Sequence, residues 1–394
     1  MKTIRQIIAV TALNLRNIPQ RLGASSVAII GVAAVVLVFA AVLSMARGFE
    51  RTMLAAGTED TAVVLRAGAT SEMSSGFSNE EVVIIENTPG VLRDGGQPLA
   101  SPELYVIADV RMRHADANAN VPFRGVLASA LDVRPGVSIT AGRMFEPGKR
   151  EIIAGRSAHE EFIGLDVGTP IRFGQTEWEV VGIFEADGSV SESEIWTDVR
   201  VLQAAYRRGN SFQSIRVKLE SPDGFEIFSR ALDEDPRIDA DVMTERDYYA
   251  SQSAALTTFI KGVGYPLTLL MAVGAIFGAL NSMYSSVSVR GKEIATLRAL
   301  GFRSGAVITG LVVESMLVAL AGGVLGCLAI IPINGLTVST INFQTFSHLA
   351  FAFRVTGPLL LGGVLFALGM GLVGGLLPAI RAARLPVAAA LREL

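Results

Sequence analysis

Four long apolar runs divide the chain. They cover residues 23–46, 262–289, 305–331 and 356–377, and only the third contains a charged side chain, Glu314. A helix of about 20 apolar residues crosses a bilayer, so each run is long enough. The pattern predicts an α-helical membrane protein with four transmembrane helices. For the first run, a cleaved signal peptide is the competing interpretation, because Ser44-Met45-Ala46 resembles a small-x-small cleavage site.

The stretch between the first two apolar runs, residues 47–261, has a different pattern. Short β-rich runs alternate with segments of helical periodicity, and Gly and Pro mark the joins. Strands are predicted at residues 62–66, 104–110, 123–128, 151–154, 170–173, 178–184 and 214–219. Helices are predicted at residues 78–87, where Ser78 and Glu81 suit a capping box, and at 157–163, 199–207, 223–232 and 245–261. We therefore expect a large α+β domain of one or two lobes, inserted between transmembrane helices 1 and 2. Its last helix should continue into the second span.

Charge assigns the sides of the membrane. Residues 46–261 hold 22 Lys and Arg against 34 Asp and Glu, whereas the rest of the chain holds 12 against 3. Because basic residues favour the cytoplasmic side, we expect the insert and the loop 332–355 to be extracytoplasmic. Segments 1–22 and 378–394 should be cytoplasmic, the first as an amphipathic helix on the membrane surface. Both termini would then lie in the cytoplasm, and the protein would be located in the cytoplasmic (inner) membrane.

Residues 290–304, hereafter the coupling segment, lie between the second and third runs. They contain four basic residues and one acid, Glu293, and apolar residues recur at helical spacing. Gly291 and Gly301 bracket the segment like helix boundaries. The pattern predicts a short basic amphipathic helix on the cytoplasmic side. Either it is a rigid element whose movement moves both neighbouring spans, or it is a solvated loop that only fixes topology.

Two features of the spans bear on function or packing. Glu314 lies inside the third run, where a charge suggests a functional role, although pairing with a basic group or snorkelling is the alternative. Small residues recur four apart, as in Gly322 with Gly326 and Gly371 with Gly375. Such spacing lets helices approach closely. It predicts packing within a bundle or between protomers.

Composition and motifs leave little room for catalysis. The chain has 394 residues and a mean hydropathy of +0.45, which is typical of a membrane protein with a soluble part. It has no P-loop, no zincin motif and no nucleophile elbow. The single Cys327 excludes a disulfide within the chain. We predict that Glu192 and Glu194 are surface charges, that Trp178 and Trp196 pack in the core of the insert, and that no nucleic acid is bound.

The chain resembles the FtsX-like permease family, and within it the MacB-type (type VII) ABC transporter permeases. The resemblance rests on Asn281, on Ser286–Arg303 with its Val-Arg-Gly-Lys-Glu-Ile core, on Glu314, and on the Gly322-Gly323-x-x-Gly326 run. The tail that begins at Pro378, the stretch 14–21, and Gly142-Arg143-x-Phe145 with Val180-Val181-Gly182 in the insert are also similar to the family. The resemblance covers nearly the whole chain.

The resemblance implies a permease with a separate cytoplasmic ABC ATPase, which would carry ATP and Mg²⁺; this chain would hold no cofactor or metal and would not be an enzyme by itself. The coupling segment would be the helix that the ATPase receives, through these residues: Arg290, Glu293, Leu297, Arg298, Leu300, Gly301 and Phe302. Further implied partners are a second permease protomer, with a homodimer favoured over a heterodimer, membrane lipid, and a periplasmic adaptor. The output would be efflux, lipid or lipoprotein handling, or mechanotransmission. The alternative function is a membrane anchor or sensor that regulates an extracytoplasmic partner.

Overall fold

The computed structural model describes residues 6–8, 10–12, 22–134, 136–221, 224–342, 345 and 347–384. Residues 6–8 and 10–12 are helical. The rest of the helix predicted over residues 1–22 lies outside the described residues. So does the tail from residue 385 onwards.

The helices and strands are numbered here in chain order. The helices are α1 Leu22–Leu54, α2 Asn79–Glu86, α3 Ala130–Val133, α4 Arg156–Glu161, α5 Val199–Ala205, α6 Gly224–Asp233, α7 Glu245–Val289, α8 Gly291–Ala299, α9 Ser304–Ile330 and α10 Gly357–Ala383. The strands are β1 Thr61–Arg66, β2 Arg93–Asp94, β3 Gln97–Pro98, β4 Ala100–Arg111, β5 Asn118–Val126, β6 Ser138–Gly142, β7 Glu151–Gly155, β8 Pro170–Phe173, β9 Thr176–Glu185, β10 Ile195–Asp198, β11 Ser214–Lys218, β12 Ala240–Thr244, β13 Thr337–Ile341 and β14 His348–Ala352. Short 3-10 turns occur at Glu72–Ser74, Val190–Ser193 and Ile331–Ile333.

The chain forms two compact units. The helical unit comprises Met1–Ala46, Phe259–Gly335 and Phe353–Leu394. The α/β unit comprises Arg47–Thr258 and Leu336–Ala352. Helices α1 and α7 each contribute residues to both units.

A ten-stranded mixed sheet is the framework of the α/β unit. Its main path runs β12-β1-β11-β4-β5-β10-β7-β9-β6, and β8 pairs with β9. The β5–β10 and β7–β9 pairs are parallel, and the other pairs are antiparallel. The predicted capping box of α2 is confirmed, because the Glu81 amide donates to Ser78 Oγ and the Glu81 carboxylate accepts from the Ser78 amide.

Two hydrophobic clusters fill the α/β unit. Trp178 lies in the larger cluster, and Trp196 lies in the smaller one beside Phe184. Both tryptophans are buried, as predicted. The sequence left open whether the insert has one lobe or two. Both clusters lie against one continuous sheet, so the insert is built on a single sheet. Strands β6, β10 and β12 are absent from the prediction because they are short and lack a clear apolar alternation.

Four of the described helices are long and apolar enough to cross a membrane, namely α1, α7, α9 and α10. They coincide with the four predicted spans, but their ends differ. Helix α1 continues past residue 46 to Leu54, because Arg47, Glu50 and Arg51 are compatible with a helix although they are charged. Helix α7 begins at Glu245, so the prediction that the last helix of the insert continues into the second run is confirmed.

The sequence predicts a loop over residues 332–355 and assigns no secondary structure to it. Strands β13 and β14 form an antiparallel hairpin there. The hairpin belongs to the α/β unit, where the Ala350 amide donates to Ser193 Oγ over 3.0 Å. The hairpin is absent from the prediction because a strand of five residues with few charges gives a weak periodic signal.

Candidate coupling segment and buried ion pairs

The coupling segment contains a short helix, α8, between the two long helices α7 and α9. Arg290 leaves the helical conformation, with φ −99° and ψ 11°, and separates α7 from α8. Gly301 has φ +93°. This left-handed conformation is accessible to glycine at little cost and ends α8 within a few residues of the start of α9. The predicted bracketing of the segment by Gly291 and Gly301 therefore matches the helix bounds.

The two faces of α8 have different surroundings. Ile294 and Ala295 are buried, and Ile294 packs in a cluster with Val287, Val307 and other residues of the helical unit. The opposite side is open, with Leu300 exposed over 73% of its surface. Leu297, Arg298 and Phe302 are partly buried. The Arg298 guanidinium donates to the backbone oxygen of Ala383 at the end of α10.

Arg290 is not on the open side of α8 but inside the helical unit. Its side chain is 3% exposed, and its Nη1 donates to Glu314 Oε2 over 3.2 Å. Its Nε donates to Glu293 Oε2 over 3.0 Å, and Glu293 is half-exposed. A buried charge is costly unless it is paired. Glu314 therefore has a basic partner, and this partner is Arg290 at the start of the coupling segment.

The predicted packing glycines lie where helices of the helical unit meet. A Cβ on Gly322 or Gly326 would stand 2.7 or 2.6 Å from a backbone oxygen of α1. A Cβ on Gly371 would stand 2.6 Å from Ala319 Cβ, and one on Gly375 the same distance from Ser315 Cβ, both on α9. Any larger residue would force these helices apart. The four glycines therefore lie at contacts within one chain.

A buried cluster of charged residues in the α/β unit is absent from the sequence-based prediction. Arg124 on β5 is 2% exposed and donates to three carboxylates, those of Glu72, Glu103 and Glu194, over 2.7 to 3.0 Å. The Tyr105 ring lies under its guanidinium at 4.9 Å. All hydrogen-bonding nitrogens of Arg124 thus have carboxylate partners, which is the arrangement that a buried guanidinium requires.

Arg216 and Arg134 complete this cluster, hereafter the buried ion cluster. Arg216 on β11 is fully buried and pairs with Glu72, Glu103 and Glu245. Arg134 pairs with Glu103 over 2.7 Å. Burial by itself raises the pKa of Glu103, but the charges of Arg134, Arg216 and Arg124 outweigh it and lower that pKa to about 2. The carboxylate is therefore charged at neutral pH.

The prediction that Glu192 and Glu194 are surface charges is wrong. Both are buried, at 7% and 4% exposure. Glu194 accepts from Arg124 and from Trp196 Nε1, and Glu192 accepts from the backbone amides of Ala186 and Gly188. Sequence alone does not reveal Arg124 as a partner of Glu194, because the two residues lie 70 positions apart in the chain. Within the described residues, no group of three or more His, Cys, Asp or Glu side chains is placed to hold a metal ion.

Comparison with known proteins supplies the family. The model of the MacB-like periplasmic core domain matches residues 25–234, and that of the FtsX-like permease C-terminal domain matches residues 267–387. The first match alone covers more than half of the chain. The chain belongs to the MacB-type, FtsX-like family of ABC transporter permeases. With its four long apolar helices, it is a multi-pass membrane protein.

Similar proteins carry names from the same family. The macrolide export ATP-binding/permease protein MacB 1/2 of Paracoccus denitrificans is 26% identical over 98% of this chain and 58% of its own length. The uncharacterized ABC transporter permease YknZ of Bacillus subtilis is 24% identical over 83% of this chain and 82% of its own length. The periplasmic region of MacB from Actinobacillus actinomycetemcomitans is 14% identical, with a TM-score of 0.37, over 49% of this chain and 92% of that one. This FtsX-like chain thus spans about half the length of the MacB relatives that it matches.

Replacing Glu314 by Gln tests the ion pair in this FtsX-like permease. The neutral side chain removes one carboxylate partner from the buried Arg290 and leaves it the pair with the half-exposed Glu293. We expect the free energy of unfolding in detergent to fall by about 1 to 3 kcal/mol, with membrane insertion retained. Glu293→Gln is the control and should cost less than about 1 kcal/mol, because its carboxylate is half-exposed. Equal unfolding midpoints for Glu314→Gln and the parent would contradict this role.

Proposed function

We propose that this chain is the permease subunit of an ABC transporter, and that a separate cytoplasmic ATPase drives it. The observation that carries the proposal is the short helix α8, placed between two long apolar helices with Leu300 exposed on its open side. An exposed apolar side chain at the end of a helix whose other side is packed is suited to a protein contact. ATP hydrolysis on the partner would act on α8, and through it on α7 and α9.

In the proposed topology, the protein crosses the inner (cytoplasmic) membrane with four helices. Both termini lie in the cytoplasm. The α/β unit, most of which is inserted between the first two helices, lies outside the cytoplasm. The boundaries remain those expected from the charge pattern, with residues 47–261 extracytoplasmic and residues 290–304 cytoplasmic. A second copy of the chain completes the permease as a homodimer, with membrane lipid around it and a periplasmic adaptor as a further partner.

The output of the transporter is a change of conformation in the α/β unit that performs efflux, lipid or lipoprotein handling, or mechanotransmission. Efflux is supported by the name of the Paracoccus relative, which is called a macrolide export protein. A separate ATPase is supported by YknZ, which is named a permease and of which this chain covers 82%. The test is co-purification of an ABC ATPase with the tagged chain, together with stimulated ATP turnover in nanodiscs. A chain that binds no ATPase would instead be an anchor or sensor.

Reporter fusions test the topology. We expect reporters at Ala69 and Gly209 to be active outside the cytoplasmic membrane, and reporters at Arg303 and Leu394 to be active inside it. The reason is the excess of acidic residues in the insert and of basic residues in the short segments. Paired alkaline phosphatase and green fluorescent protein fusions give opposite signals on the two sides. A cytoplasmic signal from Gly209 would overturn the topology.

A further inference from the structure

The outer edge of β13 has no strand paired to it in the part of the chain that the structure describes. Among the described residues, β13 pairs with β14 and with no other strand. The Asn342 amide donates to the Ser347 oxygen directly opposite. Because hydrogen-bonded and non-bonded pairs alternate along an antiparallel ladder, the amides and carbonyls of Thr337, Ser339 and Ile341 point away from β14.

Neighbouring contacts agree with this assignment. Ala350 lies opposite Ser339, and its amide leaves the hairpin on the other side to donate to Ser193 Oγ. Strand β14 thus faces the body of the α/β unit, and β13 is the outer strand. Natural proteins usually block such an edge with Lys, Pro, a bulge or a covering element. The strand Thr-Val-Ser-Thr-Ile has no charge and no proline, and its residues 337, 339 and 341 are exposed.

A groove of about 410 Å³ adjoins this strand. Thr337, Ser339 and the cross-strand neighbour Ala350 form one side of it. Met112 and His114 line it, as do Glu160 and Glu161 of α4. A strand added at the outer edge would place alternate side chains on the same face as Thr337 and Ser339, and therefore toward the groove.

The charge of the groove favours a basic occupant. Glu160 is 60% exposed, and its ion pair with Arg156 is at the surface. Glu161 is 15% exposed, and His348 Nδ1 lies 4.0 Å from its Oε1. Strand β13 of a second copy carries no basic residue, so self-pairing would bring no cation to Glu161 or to the exposed Glu160.

We propose that the outer edge of β13 and the adjoining groove bind an extended basic segment of another polypeptide. The segment adds as a third strand to the hairpin, and its Lys or Arg side chains reach Glu160 and Glu161. Main-chain hydrogen bonds would supply affinity, and the carboxylates would select the sequence. The inference rests on the proposed function only for the side of the membrane on which the partner would meet this surface.

The test uses the purified full chain in nanodiscs and a fluorescein-labelled peptide of twelve residues with Lys at alternate positions and Val or Thr between them. We expect saturable binding in the micromolar range by fluorescence anisotropy. The same peptide with Glu in place of Lys, or with Pro at alternate positions, should not bind. Absence of saturable binding by the lysine peptide would overturn the proposal.

Matched variants locate the site. Ser339→Pro removes an amide that points away from β14 and spares the hairpin ladder, so binding should weaken about tenfold or more. Ser339→Ala keeps the amide and should bind like the parent. Glu160→Gln combined with Glu161→Gln should weaken binding about tenfold, whereas the exposed Glu80→Gln on α2 should not. Equal binding by the Pro and Ala variants would overturn the proposal.

A second copy as the occupant is examined separately. The Ser339→Cys variant is oxidised in nanodiscs with and without the peptide, and disulfide-linked dimers are measured. If the dimers form as readily with the peptide as without it, the edge serves self-association and the proposal is overturned. ATPase stimulation and the reporter fusions are measured without peptide. Failure of peptide binding is therefore distinguishable from failure of the proposed function.

Discussion

Replacement of Arg124 by Met is expected to destabilise the α/β unit by about 3 to 5 kcal/mol, because it takes a guanidinium away from three buried carboxylates. Glu72, Glu103 and Glu194 all accept from this guanidinium, and each is at most 5% exposed at its side chain. A loss of this size is a large part of the 5 to 15 kcal/mol that stabilises a typical domain.

The measurement is urea unfolding of the full chain followed by tryptophan fluorescence. Both tryptophans of the chain, Trp178 and Trp196, are buried in the α/β unit, so the signal reports this unit alone. Arg246→Met is the matched control. Its pair with Glu59 has a similar distance, 2.7 Å, but lies at the surface, with the two side chains 55% and 64% exposed. It should cost less than about 1 kcal/mol. Similar midpoints for Arg124→Met and the parent would show that the cluster contributes little to stability.

The second large effect is expected at the open side of α8. Leu300→Asp puts a charge where the proposed ATPase contact requires an apolar side chain, and an unpaired buried charge costs several kcal/mol. We expect ATPase binding and stimulation to fall at least tenfold, which corresponds to about 1.4 kcal/mol. Folding should be unaffected, because Leu300 is 73% exposed in the chain alone.

Three further variants separate loss of the ATPase contact from loss of folding. Leu300→Met keeps an apolar side chain and should bind the ATPase like the parent. Leu297→Asp should also abolish binding, although Leu297 is partly buried and its unfolding midpoint must be checked. Arg298→Ala should give a weaker defect. Co-purification and ATP turnover in nanodiscs are the measurements. If Leu300→Asp and Leu297→Asp both bind and stimulate the ATPase normally, α8 is not the coupling element.

The local elements of this protein are largely predictable from sequence. The four apolar helices, the short helix bracketed by Gly291 and Gly301, and the capping box at Ser78 each depend on contiguous residues. Their signals are apolar run length, periodicity and the conformational freedom of glycine. The family resemblance rests on the same contiguous stretches. Such features survive in the sequence because the interactions that create them are local or are made with the surrounding membrane.

Tertiary structure alone decided which charges are buried and with which partners. Glu194 resembles a surface acid in its sequence context, yet Arg124 from β5 neutralises it across a parallel strand pair. Arg290 resembles one more basic residue of the coupling segment, yet it is paired with Glu314 inside the helical unit. The hairpin β13–β14 became part of the α/β unit through contacts with Ser193. All three depend on residues far apart in the chain, and the free energy of a charge is set by the neighbours that folding brings to it.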